Sequence, residues 1–148
     1  MSRTAELQGI IQTKLTSLNY TAYADEAPDS AVYPYVVYNI NNFSYLDARD
    51  NITLEVDIWD SSANYVTVEA MADAIEAEFT GDAVYNAANT VLPQFFRYIR
   101  TKVPDTDKDI KRINLKIEVQ NYNITATTTE STATPEPEPE PDEENEEE

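Results

Sequence analysis

The sequence has no cysteine and no histidine, and only two glycines among its 148 residues. Without cysteine there is no disulfide framework and no thiolate metal site, which fits a reducing compartment. Without histidine the commonest general base is missing, and with cysteine absent as well most nucleophilic hydrolase schemes are excluded. Two glycines cannot build a glycine-rich phosphate loop, and neither a P-loop nor a dinucleotide fingerprint is present. Long apolar runs are missing too: mean hydropathy is -0.53, and no stretch has the length of a membrane span. The N-terminus, MSRTAELQGIIQTKL, is charged and polar where an export signal needs an unbroken apolar stretch, so a chain that stays in the cytoplasm where it is made is expected. The Asn-X-Ser/Thr sequons, those at Asn42, Asn51 and Asn123 among them, then carry no glycan.

What the chain has in excess is acid. The formal net charge is -18, and it divides unevenly. Glu130 to Glu148 hold ten acids and no base, which leaves 18 acidic against 10 basic residues before them. From Ala126 the composition becomes ATTTESTATPEPEPEPDEENEEE, with no large apolar residue. Repulsion between glutamates and the extended preference of the Pro-Glu repeat predict a disordered arm over 126–148 and a single folded domain over 1–125. That domain keeps a net charge of about -8, which repels nucleic acid in general.

Within the domain, Leu7, Ile10, Ile11, Leu15 and Leu18 recur at helical spacing and predict a helix over Thr4–Leu18, with Ser2 or Thr4 as cap. Pro28 breaks the pattern, and YPYVVYNI predicts a strand over Tyr33–Ile40 with Pro34 at its start. Residues 52–59 alternate, with Ile52, Leu54, Val56 and Ile58 on one face and Thr53, Glu55, Asp57 and Trp59 on the other, so a half-buried strand paired through a turn at Asp47–Asn51 is expected. Ser61 and Ser62 are placed to cap a helix over Tyr65–Phe79, which Gly81 stops. Phe95–Val103 and Ile110–Tyr122 read as a hairpin around Pro104–Asp109, with Ile113, Leu115, Ile117 and Val119 facing inward. Residues 81–94 have few large apolar side chains and read as a loop able to move on assembly. The resulting plan is α+β: an antiparallel sheet of about four strands with both helices on one face.

Candidate chemistry is thin, and no cofactor is implied. Glu55 and Asp57, two apart on an outward strand face, have nothing near them in sequence to separate their pKa values, so a solvated or interface face is expected rather than a carboxylate pair for acid/base work. Asp105, Asp107 and Asp109 imitate the first ligands of a calcium loop, but Ile110 stands where the glycine belongs and Lys116 where the bidentate glutamate belongs. The clearest asymmetry is basic: seven of the ten basic residues are Arg97, Arg100, Lys102, Lys108, Lys111, Arg112 and Lys116. A nucleic-acid footprint or a subunit edge would both use such a run. The acidic body favours an edge that meets acids such as Glu55, Asp57, Asp73, Glu76 or Glu78 on a neighbouring copy. Ten tyrosines and Trp59 suit the same purpose. Arg97, Arg100, Lys111, Arg112 and Lys116, with Glu55 and Asp57, are therefore the candidate interface residues.

The order YPYVVYNI, turn, NITLEVDIWD, then SSANYVTVEAMADAIEAEF resembles the tail completion and tail terminator proteins of long-tailed bacteriophages. The resemblance spans about residues 4–122 and is carried mainly by 33–79. It implies a non-enzymatic ring, usually of six copies, in the virion at the tail-neck junction. Such a ring caps the tail tube protein, offers the tail to the head connector and lets DNA pass through its lumen, after assembly in the host cytoplasm and without contact with a membrane. The acidic Pro-Glu arm departs from that pattern. It also fits a competing reading, a cytoplasmic adaptor or inhibitor that uses the arm as a mimic of nucleic acid.

Overall fold

The computed structural model describes residues 3–46, 49–82 and 91–123, apart from the side chains of 42–46, 82, 97 and 123. The elements are α1 (Arg3–Ser17), β1 (Ala22–Ala24), β2 (Tyr35–Leu46), β3 (Arg49–Ser61), α2 (Val66–Glu78), β4 (Gly81–Asp82), β5 (Val91–Val103) and β6 (Ile110–Asn123). The strands form one sheet in the order β1-β2-β3-β6-β5-β4. The arm expected from 126 onward lies outside the described residues.

The α+β plan and the four main strands are present, but the sheet has six strands and is mixed, because β1 pairs parallel with β2. The two extra strands are three and two residues long, too short to produce an alternating pattern. Of the expected turn over Asp47–Asn51, residues 47–48 lie outside the described ones, while Arg49–Asn51 are strand, with Leu46 paired to Arg49 and Ser44 to Asn51. β5 begins at Val91, earlier than Phe95; Pro93 reads as a breaker, yet it is tolerated where β5 has only two-residue β4 beyond it. Of the expected loop over 81–94, residues 83–90 lie outside the described ones, while Gly81–Asp82 and Val91–Gln94 are strand. The caps differ as well. Ser61 ends β3, and it is Asn64 Oδ1 that accepts the Val66 N–H at 3.1 Å, with Ser62 Oγ accepting from Asn64 N–H at 3.4 Å. The last turn of α2 closes through Phe79 N–H to the Ile75 carbonyl, and Gly81 follows in the left-handed region at φ 78, a conformation that suits a residue without Cβ.

Both helices cover the same sheet face, as the alternation implies. Leu7, Ile11 and Leu15 of α1 and Val68, Met71, Ala72 and Ile75 of α2 share one buried cluster with Leu54, Val56, Ile58, Ile113, Leu115 and Ile117. The register sets Ile58 opposite Ile113, Val56 opposite Leu115 and Leu54 opposite Ile117, so β3 and β6 put their apolar sets in line at the middle of the sheet. The inward row ends in polar groups. Asp50 and Asn121 are opposed across β3 and β6 and fully buried, with Arg3 Nε 3.3 Å from Asp50 Oδ2.

Candidate assembly interface

The basic run lies on the β5–β6 hairpin, where strand alternation divides it between the two faces. Arg100 pairs with inward Leu115 and Lys102 with inward Ile113, so both point to the helix side. Arg112 and Lys116 lie on the helix-free side, opposite Trp59 and Glu55. Arg97 sits at the β5 irregularity between Phe96 and Tyr98, and its side chain is outside the described ones. The run is therefore not one patch.

The helix-side bases tie α2 to the sheet. Glu69, Asp73 and Glu76 fall one turn apart along α2, and Arg100 reaches all three. Its Nη1 is 2.7 Å from Glu69 Oε2, and its Nη2 is 2.7 Å from Asp73 Oδ1 and 2.8 Å from Glu76 Oε2. Hydrogen bonds donated to Glu76 first, then to Asp73 and Glu69, raise the already high pKa of the guanidinium against the opposing effect of burial. Lys102 Nζ is 3.1 Å from the other Glu69 oxygen and 4.6 Å above the Tyr65 ring. Bonds from Lys102, then Arg100, hold the Glu69 carboxyl below the ordinary range. Lys111 Nζ also lies over Tyr65, at 5.7 Å, and donates to the Lys108 carbonyl.

On the helix-free face Arg112 donates from Nε to Asp57 Oδ1 at 3.0 Å and stacks 4.6 Å from the Trp59 ring centre. Trp59 in turn stacks on Tyr35 at 6.3 Å, and Tyr35 on Tyr33 at 5.2 Å. Burial, then the neighbouring Tyr33, raises the Tyr35 phenol pKa. Asn114 Nδ2 donates to the same Asp57 oxygen at 3.0 Å, Lys116 lies 3.4 Å from Glu55, and Asn41 Nδ2 donates to Glu55 at 2.9 Å. Glu78 is met by Lys14 at 3.7 Å. The acids expected to be offered to a neighbouring copy are thus met by bases of their own chain. The aspartates of the hairpin loop shape it: Asp105 Oδ1 accepts the Asp107 N–H and Asp107 Oδ1 the Asp109 N–H, both at 2.9 Å.

Alternation placed Trp59, Arg112 and Lys116 outward correctly. It gave no sign that Tyr33, Tyr35, Trp59 and Arg112 form one row, because cross-strand register is not local in sequence. Asp50 and Asn121 were missed for the same reason: each reads as an ordinary polar strand residue until the pairing sets them together beside α1.

A family model described as "Tail completion protein gp17" matches residues 6–120, which is most of the chain. The chain belongs to this family. It is a bacteriophage tail completion protein by family, and a virion structural protein by the same membership. Among solved structures, a chain of the "Virion of native gene transfer agent (GTA) particle" is similar at 18% identity, with a TM-score of 0.55, over 79% of this chain and 95% of that one. At that identity the likeness is one of fold. No curated protein matches the chain.

Proposed function

We propose that this family member is the subunit of a closed ring, of six copies, that caps the finished tail tube and presents the tail to the head connector, with DNA passing through the lumen. The carrying observation is the family match over residues 6–120, and the sheet adds physical support. Its helix-free face carries ion pairs closed within the chain, Arg112–Asp57 and Lys116–Glu55, together with amides and aromatic rings. Such a surface offers few free cations to DNA, and an acidic body keeps sliding DNA from sticking. No reaction is involved; the work is geometric, a heterologous contact repeated around an axis until it closes. The Pro-Glu arm over 126–148 is a solvated extension of the single domain over 1–125. Deleting the gene is the test: heads and tails that accumulate unjoined support the reading, and normally joined particles overturn it.

A further inference from the structure

The two edges of the sheet are unevenly finished. β1 covers β2 only over Val36–Tyr38, and β4 covers β5 only over Gln94–Phe95. Among the described residues, 39–46 of β2 and 96–103 of β5 therefore have no strand on their far side, and each open stretch is eight residues long. Unpaired strand edges of this length present rows of backbone donors and acceptors that recruit another strand. We infer that copies of this chain join edge to edge, β5 residues 96–103 of one pairing antiparallel with β2 residues 39–46 of the next. The inference rests on the ring proposed above.

Three features of the geometry agree with this. First, β2 and β5 run in opposite directions, since each step β2-β3-β6-β5 is antiparallel. A rotation about an axis near the strand direction therefore sets β5 of one copy antiparallel to β2 of the next. Second, full overlap of the open stretches pairs Asn41 with Thr101. Both project from the helix-free face, through Thr53 and Asn114 respectively, so the pleat continues without a flip. Third, the step closes. Within one copy Asn41 is level with Phe96, through Thr53 and Glu118, whereas the neighbour's Asn41 meets Thr101, four rows further along β5. Four rows rise ~14 Å and four strands span ~19 Å, a tilt of roughly 35°, which is what a closed barrel of strands requires.

The direction of that tilt also decides which face is inside. β3 and β5 run parallel and are joined through α2, and such a crossover is right-handed. With that hand, the upward step from copy to copy gives the right-handed coil of strands found in barrels only if the helices are outside. The helix-free face, with Arg112–Asp57 and Lys116–Glu55, then lines the lumen. Six copies would enclose a backbone diameter of roughly 45 Å.

The chain has no cysteine of its own, so thiols can be placed at will. In the full-length variant Asn41→Cys/Thr101→Cys, incorporated into particles and oxidised, a non-reducing gel should show a ladder of linked chains. The single variants and Ile40→Cys/Thr101→Cys, whose thiols leave opposite faces, should show none. A ladder with a long amine-reactive cross-linker but none through the thiols overturns the edge pairing and leaves the ring standing; no ladder by either route removes the ring as well. Should the double variant fail to incorporate, amide hydrogen exchange of the unmodified chain decides. Residues 39–46 and 96–103 should exchange at least about tenfold more slowly in particles than in the free protein, and unchanged exchange there overturns the pairing.

Discussion

The two faces of one sheet are made from the same strands and obey different rules. On the helix side the successive inward residues of β6, Ile113, Leu115, Ile117 and Val119, are essentially without solvent exposure. One step along the strand in each case, Arg112, Asn114, Lys116 and Glu118 carry polar and charged groups on the other side. The helix-side face is held by burial, which is non-directional and worth roughly 25 cal/mol per Å². The helix-free face is held by ion pairs and ring stacking at partly solvated positions, each worth about 1 kcal/mol or less. Stability therefore lives on one face, and the other is free to be specified by assembly.

Leu115→Asp against Lys116→Asp should show the largest difference between the two faces. The first buries an unpaired carboxylate beside Val56 in the apolar cluster under the helices and should cost about 4 kcal/mol or more, a large part of a domain's stability. The second leaves Glu55 facing a like charge at the surface and should stay within about 1 kcal/mol. Urea titrations of the two would contradict the assignment of faces if their midpoints coincided.

Arg100→Gln tests the charge cluster that ties α2 to the sheet on the helix side. Losing three acceptors on α2 should cost about 1–2 kcal/mol, discounted because Asp73 is largely exposed. The pH dependence has a fixed sign. The Glu69 carboxyl is depressed in the folded state, so its contribution is full above the ordinary glutamate value and disappears as pH falls through the depressed one. The stability gap between the unmodified chain and Arg100→Gln should accordingly shrink in acid; a gap that widens would show that the clamp is not electrostatic.

Trp59→Ala on the helix-free face removes stacking on Tyr35 and the platform under Arg112, and should cost about 1 kcal/mol in thermal unfolding. A loss as large as that of Leu115→Asp would mean that this face is buried against something within the chain. Deleting residues 130–148 should have the smallest effect, within about 0.5 kcal/mol, and a clear loss of folding would show that the arm docks on the body.

Much of this was legible from residue order. The alternation of 52–59 and 110–122 is period two over long stretches, so it fixed both strands and their inward sides, and the spacing of Leu7, Ile11 and Leu15 did the same for α1. β1 and β4 escaped because two or three residues carry no period. The basic run misled for a related reason: seven bases within twenty positions look like one patch, yet a strand sends neighbours to opposite faces, and β5 adds an irregularity after Phe96 that shifts the parity. That Arg100 clamps α2 while Arg112 stacks on Trp59 depends on pairing between distant segments, which no local pattern encodes.

The ring that we propose for this tail completion protein closes at the head-proximal end of the tail. A symmetry-resolved electron-microscopy reconstruction of that end of the particle tests it most directly. Six copies of this chain around the axis, helices outward, between tube and connector, are expected. Density for the chain elsewhere in the particle, or as isolated copies without rotational closure, would contradict it.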